Sequence, residues 1–340
     1  MTGPSIENIL GLPLHEARAA LAAGEAGLRL TDERHGGSGS SLFAADAAGV
    51  EHVFHQPTRG RLQHWRWPSD PAIPDLAGAV RRWPGAVRLA YKPLRRATFR
   101  AEGRDGPIAV KVGVPGDVAR ARRAVAVGAL AAATGAFRAP RLIASRPDEV
   151  VIVWLPGVPV DRLADGDVDA VATAALEAVA AIASTQADQP HYELGGDLAK
   201  LRRLAALAAE VDPELATDAT VAAVRLEARI APRLRDYALT HGDLTPRNMV
   251  WDASQDVPLG ILDWDHAEIG PPERDLAWIA DLGVVVGRTL ATRDACGSAH
   301  RVDQELVDAF AELKAVTRTI RRAALGKPLR ADARAAVRRV

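Results

Sequence analysis

The sequence predicts an α+β protein with two lobes, a small β-rich lobe followed by a larger and mainly helical one. Its 340 residues are enough to build two hydrophobic cores. Three strand-like stretches, 87–91, 98–102 and 108–112, follow one another with short turns between them. Residues 168–186 and 197–236 instead carry Ala and Leu at helical spacing. We therefore place most strands before residue 155 and most helices after it.

The composition limits the class of protein. A single cysteine excludes an internal disulfide and argues against a thiolate metal site. The N-terminus has no basic region followed by an apolar core, and no run approaches the roughly 18 apolar residues of a membrane helix. Residues 1–150 carry 21 Lys and Arg against 14 Asp and Glu, and the remainder carries 22 against 29. We expect a cytoplasmic protein, with no membrane or nucleic acid as a partner, whose basic half suits phosphates.

Residues 1–86 carry the fewest signals. A helix is expected from Leu14 to Ala23, and a hairpin is expected where 42–45 and 50–54 flank Ala48 and Gly49. Tryptophans and prolines between 65 and 84 indicate a packed, irregular connection. We divide the chain into an extension over 1–86, packed on or part of the β-rich lobe, then that lobe over 87–155 and a helical lobe over 156–340.

The β-rich lobe has a lysine in its third strand, in Ala109-Val110-Lys111-Val112. A helix is predicted from Asp117 to Thr134, with Asp117 as its N-cap. A continuous apolar run, Glu149 to Trp154, then predicts a buried strand that ends in Leu155-Pro156-Gly157.

The clearest signal lies in residues 239–280, which hold two short apolar runs, 249–251 and 259–262. Turn-forming residues bound each run, so a hairpin is predicted. A hairpin brings its outer ends together, which would let Asp243, Asn248 and Asp263 converge. Asp and Asn oxygens suit Mg²⁺, and a further carboxylate can accept a proton from an attacking hydroxyl. Asp243 and Asn248 also have the Asp-x-x-x-x-Asn spacing of kinase catalytic loops.

The segments HGDLTPRN, ILDWD and ERDLAW closely resemble the aminoglycoside phosphotransferase superfamily, which shares the two-lobed protein-kinase-like fold. The resemblance implies Asp243 as the catalytic base and Asn248 and Asp263 as Mg²⁺ ligands. It also implies supporting roles for His241, which shapes the loop, for Asp265, and for Asp275, which starts a helix beneath the loop.

In the β-rich lobe the same resemblance implies an ATP site. Lys111 would reach the α- and β-phosphates, a turn with Arg95 and Arg96 would cover them, and the backbone of 153–155 (Val153, Trp154 and Leu155) would pair with adenine. The predicted helix 117–134 departs from the family because it has no Glu to pair with Lys111. Another partner such as Asp117, a different register, or an impaired lobe all remain open.

These features predict an ATP- and Mg²⁺-dependent kinase that phosphorylates a hydroxyl of a small molecule, acting as a monomer or a homodimer. An antibiotic is the first candidate acceptor, and a sugar, choline or amino alcohol is the alternative. Two other hypotheses stay open. One is a metal-dependent phosphohydrolase using His241, Asp243, Asp263, Asp265 and His266. The other is a kinase-like binding protein without catalysis.

Overall fold

The computed structural model describes residues 5–36, 39–57, 60–163, 167–279, 302–324, 328–329 and 332–340. Internal contacts divide the chain into two compact units. The first comprises Met1–Arg122 and Leu142–Trp154, and the second comprises Arg123–Arg141 and Leu155–Val340. The boundaries predicted at residues 86 and 155 stay a prediction. No helix in the described ranges is both long and apolar enough to cross a membrane.

The first unit begins with two helices and a four-stranded antiparallel sheet in the order β1-β2-β3-β4. The elements are α1 (Ile6–Leu10), α2 (Leu14–Ala22), β1 (Arg29–Gly36), β2 (Gly39–Ala45), β3 (Glu51–Pro57), β4 (Gln63–Arg66) and α3 (Leu76–Arg82). The helix and hairpin predicted here are present, whereas β1 and β4 were not predicted. Alternation splits the buried side chains, so that Leu42 and Phe54 pack with α2 and Phe43 and Val53 pack on the other face.

A five-stranded antiparallel sheet in the order β5-β6-β7-β9-β8 completes this unit. Its strands are β5 (Val87–Lys92), β6 (Arg96–Gly103), β7 (Gly106–Gly113), β8 (Leu142–Ser145) and β9 (Glu149–Val153). One face of this sheet, including Tyr91, Phe99 and Val110, shares a core with Phe43 and Trp65 of the first sheet. The N-terminal sheet therefore packs directly on the strands that follow it.

The helix after β7 starts earlier than predicted. α4 runs from Pro115 to Ala132, and Asp117 lies in its first turn. The prediction of Asp117 as N-cap was therefore wrong. Proline suits the first helical position because its φ is already helical and its missing N–H would have no helical partner there.

The second unit is mainly helical. Its helices are the later part of α4, α5 (Val168–Ser184), α6 (Leu194–Ala208), α7 (Pro213–Ile230), α8 (Glu273–Ile279), α9 (Gln304–Ala324) and α10 (Ala333–Arg339). The periodic stretch 197–236 forms two helices, because Pro213 starts α7 and the side chain of Asp212 caps it by accepting from the N–H of Leu215. The sequence pattern also predicts a helix over 275–288. α8 begins at Glu273, and residues 280–288 lie outside the described residues.

Short strands complete the second unit. They are β10 (Val158–Pro159), β11 (Ala238–Thr240), β12 (Met249–Trp251), β13 (Leu259–Ile261) and β14 (Glu268–Gly270). β12 and β13 form the predicted antiparallel hairpin, and β11 pairs with β14. The chain is therefore an α+β protein, as predicted.

Candidate active site

The loop between β11 and β12 brings the predicted catalytic residues together. The Nδ2 of Asn248 donates to the carbonyl oxygen of Asp243 at 2.8 Å and to its Oδ2 at 3.0 Å. The N–H of Leu262 then donates to the carbonyl oxygen of Asn248 at 2.8 Å. Asp263 directly follows Leu262, so the hairpin places it beside the Asp243–Asn248 pair. The structure thus brings together the three residues that the sequence predicted would converge.

Asp275 holds this loop from beneath. It is 1% exposed, and its two carboxylate oxygens accept from the N–H of His241 at 2.6 Å and of Gly242 at 3.0 Å. Gly242 has a φ of 77°, and a Cβ there would lie 2.2 Å from the carbonyl oxygen of His266. Only glycine fits this turn. Burial raises the pKa of Asp275, while its two backbone donors and the charge of Arg274 act in the opposite direction.

His241 ties the loop to the end of the hairpin. The N–H of Asp243 donates to its Nδ1 at 3.3 Å, so Nε2 is the ring nitrogen that donates to the carbonyl oxygen of Leu262 at 2.8 Å. The ring also meets the edge of Trp264 at a centroid distance of 4.8 Å. Because both nitrogens are engaged, His241 has no lone pair left for a metal ion.

Asp263 occupies an unusual backbone conformation. Its φ of 57° and ψ of 55° are left-handed, which is uncommon for a residue other than glycine and is found at functional sites. The following 3₁₀ turn carries the partly exposed Asp265 and the buried Trp264, whose ring stacks on Phe137 at 5.7 Å. This packing fixes the end of β13 and therefore the position of Asp263, which follows it.

The donor set of this loop fits Mg²⁺. Because Nδ2 of Asn248 donates to Asp243, its Oδ1 is the atom that can face a cation, together with the carboxylate of Asp263. Mg²⁺ is usually held by one or two carboxylates plus substrate phosphates and water. The described ranges contain no group of three or more His, Cys, Asp or Glu side chains suited to a metal ion. A site of this composition depends on the nucleotide to complete it.

Sequence reasoning missed Arg274, which precedes Asp275 in α8. Its guanidinium is bonded to Glu268, lies 3.5 Å from Asp197 and sits 4.7 Å from the ring centre of Tyr192. Burial raises the pKa of Glu268, and the charge of Arg274 opposes that shift. The signal available was the motif ERDLAW itself, in which only the Asp was assigned a role.

Three of the predicted nucleotide residues, Lys111, Arg96 and Trp154, share one face of the five-stranded sheet, whereas Arg95 lies in a turn and Val153 is opposite Ile108 on the core face. Residues opposite each other in an antiparallel sheet lie on the same face. Lys111 is paired with Thr98 and Val150, and Arg96 is opposite Gly113, two residues further along β7. Lys111 and Arg96 therefore project from the face opposite the shared core. Trp154, two residues beyond Ile152, projects from this face too.

Glu149 does not take the place of the helix glutamate that would have paired with Lys111, because it lies on the other face of the sheet. Glu149 is opposite Val112 on the core face, and its Oε2 accepts from Arg82 at 2.8 Å. Asp117, which the sequence suggested as a partner of Lys111, is bonded through both oxygens to Arg95, at 2.6 and 3.0 Å. Arg95, in the turn that precedes Arg96 and β6, is thereby tied to the first turn of α4.

The end of β9 is the segment predicted to pair with the base. The N–H of Trp154 donates to the carbonyl oxygen of Pro107 at 3.2 Å, so it belongs to the ladder with β7. Backbone groups alternate in direction along a strand. Those of Val153 therefore point away from β7. Leu155, in the second unit, is buried and packs near Gly260.

Comparisons with known proteins agree with this geometry. The profile of the phosphotransferase enzyme family matches residues 93–301, more than half of the 340-residue chain. The viomycin phosphotransferase of Streptomyces vinaceus is 45% identical over 58 residues, a match that spans 16% of this chain and 20% of that enzyme. The match thus covers a fifth of the length of this curated relative.

Solved structures share the protein-kinase-like fold. A thermostable mutant of an aminoglycoside phosphotransferase has a TM-score of 0.56 at 14% identity, covering 76% of this chain and 94% of that one. The choline kinase of Streptococcus pneumoniae has 0.54 at 14%, covering 78% and 95%. An aminoglycoside phosphotransferase of Streptomyces rimosus has 0.51 at 19%, covering 72% and 96%. The resemblance inferred from HGDLTPRN and ILDWD is thus confirmed, and the chain belongs to the phosphotransferase enzyme family.

Proposed function

We propose that the protein transfers the γ-phosphate of ATP to a hydroxyl group of a small molecule. The observation that carries the proposal is the bonded pair Asp243–Asn248, with Asp263 beside it just after β13. Phosphoryl transfer asks the protein mainly to position groups and stabilise charge. A loop that holds one base and two oxygen ligands in place meets those requirements.

Asp243 is the base in this proposal. Its side chain is partly exposed, whereas His241, Asn248 and Asp275 around it are buried. Asp243 would accept the proton of the acceptor hydroxyl as that oxygen attacks the γ-phosphorus, and the bond from the γ-phosphorus to the β,γ-bridging oxygen breaks to release ADP. Asn248 donates to Oδ2 of Asp243, so Oδ1 of Asp243 is the oxygen that would face the acceptor hydroxyl.

Asn248 and Asp263 would hold Mg²⁺, which supplies charge neutralisation at the β- and γ-phosphates. In the first unit, Lys111 would contact the α- and β-phosphates, and Arg95 and Arg96 would lie over them. The segment 153–155 would pair with the edge of the base. Asp265 would support the turn that carries Asp263.

The similar proteins support two classes of acceptor. Enzymes named for aminoglycosides and for viomycin favour an antibiotic, and the choline kinase keeps a metabolite as the alternative. The net charge of about −7 over residues 151–340 suits a cationic acceptor of either kind.

The test is an ADP-release assay with Mg²⁺-ATP and a panel of aminoglycosides, peptide antibiotics, sugars and amino alcohols. Release that depends on one acceptor class, and that disappears in Asp263→Ala while ATP still binds, is the expected result. ADP release that is independent of every acceptor would contradict the proposal.

The same assay separates the other two hypotheses. Cleavage of phosphoesters without ATP would indicate a hydrolase, which the structure supports less because both nitrogens of His241 are engaged. ATP binding with no turnover on any acceptor would indicate a kinase-like binding protein.

A further inference from the structure

We propose that Arg100 stacks its guanidinium on the purine base of the bound nucleotide and contributes to affinity without reading which purine it is. This inference rests on the proposed function, since it assumes that a nucleoside triphosphate lies on the Lys111 face of the five-stranded sheet. Neither the motifs nor the resemblance assigned any role to Arg100.

The register places Arg100 on that face. Arg100 is opposite Ala109 in β7, and Ala109 lies two residues from Lys111 on the same strand. The neighbouring strands add Val87 and Ile152 to the same row. Successive rows on one face are about 7 Å apart, from a rise of roughly 3.3 Å per residue.

The two ends of this face carry different kinds of side chain. The row of Arg100 is otherwise apolar, with Val87 61% exposed at its edge. Four residues further along β6 lies Arg96, opposite Lys92, with Lys111 in the row between. An apolar end about 13 Å from a cationic end suits a base at one and phosphates at the other.

Arg100 already makes the kind of contact that the proposal requires. It is exposed, and its guanidinium carbon lies 5.1 Å from the ring centre of Trp154. A guanidinium is planar and can stack on an aromatic ring through either face. Trp154 lies against one side of the guanidinium, and the base would stack on the opposite side. Ala109, opposite Arg100, adds only a methyl group to this row.

Stacking of this kind predicts a particular selectivity. The guanidinium meets the π face of the base, which adenine and guanine share, and not the edge at which they differ. Arg100 should therefore strengthen ATP and GTP binding alike. It should add nothing to a ligand that has phosphates and no base.

The test measures equilibrium binding of ATP, GTP and inorganic tripolyphosphate, each with Mg²⁺, to the full-length chain. Arg100→Ala should weaken ATP and GTP binding by about three- to thirty-fold, the range of cation–π contacts. Tripolyphosphate binding should not change. Arg100→Lys keeps the charge but loses the planar group, so it should restore only part of the lost affinity. Arg104→Ala, an exposed arginine in the turn of the same hairpin, is the matched control.

The outcomes separate this inference from the proposed function. A wild-type chain that binds neither ATP nor GTP removes both proposals. Normal nucleotide binding in Arg100→Ala removes only the stacking role. Equal loss of tripolyphosphate binding, or full rescue by lysine, would show that Arg100 acts as a charge on the phosphates, which also overturns the inference.

Discussion

The β11–β12 loop with its supporting helix and the N-terminal sheet both bury polar side chains, but the hydrogen bonds of these side chains are arranged differently. In the first region, Asp275 of α8 and Asn248 bond to backbone groups of the loop itself. In the N-terminal sheet, Ser41 bonds to His55 across paired strands, and His52 bonds to His64. The first pattern can be recognised in the sequence as a motif. The second depends on strand register, which no short sequence motif reveals.

A further network joins the N-terminal sheet to the strands that follow. The indole N–H of Trp65 donates to the hydroxyl of Tyr91 at 2.9 Å, and that hydroxyl donates to Asp70 at 2.5 Å. Burial and the neighbouring Asp70 raise the pKa of Tyr91. Asp70 also accepts from the N–H of Leu94 at 2.8 Å. The N-terminal region thus holds the turn that carries Arg95.

The largest effect is expected for turnover, when Asp243 in the β11–β12 loop is replaced. Asp243→Ala should lower turnover by at least about 100-fold, the usual contribution of a positioned base. Nucleotide binding and thermal stability should stay close to wild type, because Asp243 is partly exposed and the backbone bonds of the loop remain. Asp243→Asn, which keeps the shape, should be equally slow. Near-normal turnover in either variant would remove Asp243 from the role of base.

A smaller effect is expected from the N-terminal network. Asp70→Ala leaves the buried Tyr91 hydroxyl and the N–H of Leu94 without their acceptor, so the free energy of unfolding should fall by about 1–3 kcal/mol. Urea unfolding measures this loss. The KM for ATP should rise because the turn with Arg95 is less fixed, whereas kcat should hold. A fall in kcat at saturating ATP would show that the two regions are not separable.

The smallest effect concerns pH. Burial, with the charges of His52 and Arg66, lowers the pKa of His64 from about 6.5 to about 4 in the folded chain. The unfolded chain therefore binds this proton first, and the stability that neutral His64 contributes is lost as pH falls from 6.5 towards 4. Urea unfolding should show a weaker dependence on pH over that range in His64→Phe than in wild type. Identical slopes would contradict the assignment.

Sequence reasoning predicted what is local. Asp243, Asn248 and the β12–β13 hairpin depend on turn residues within one short stretch, so their convergence could be anticipated. The face shared by Lys111, Arg96 and Arg100 could not, because it depends on the register of three strands. The N-cap of α4 was misplaced because Asp117 is a typical cap residue, whereas Pro115 sets the start. Arg274 was missed because its partners, Glu268 and Asp197, come from separate elements.

The bond from Leu94 to Asp70 has a consequence for chimaeric enzymes. The family match begins at residue 93, so an exchange of catalytic domains between relatives would naturally be cut there. That cut separates Leu94 from its acceptor Asp70, which stays with Tyr91 and Trp65 on the N-terminal side of it. A graft that keeps residues 29–153 as one piece preserves the two sheets and their shared core. The recipient would then receive the turn that carries Arg95 together with the side chains that hold it.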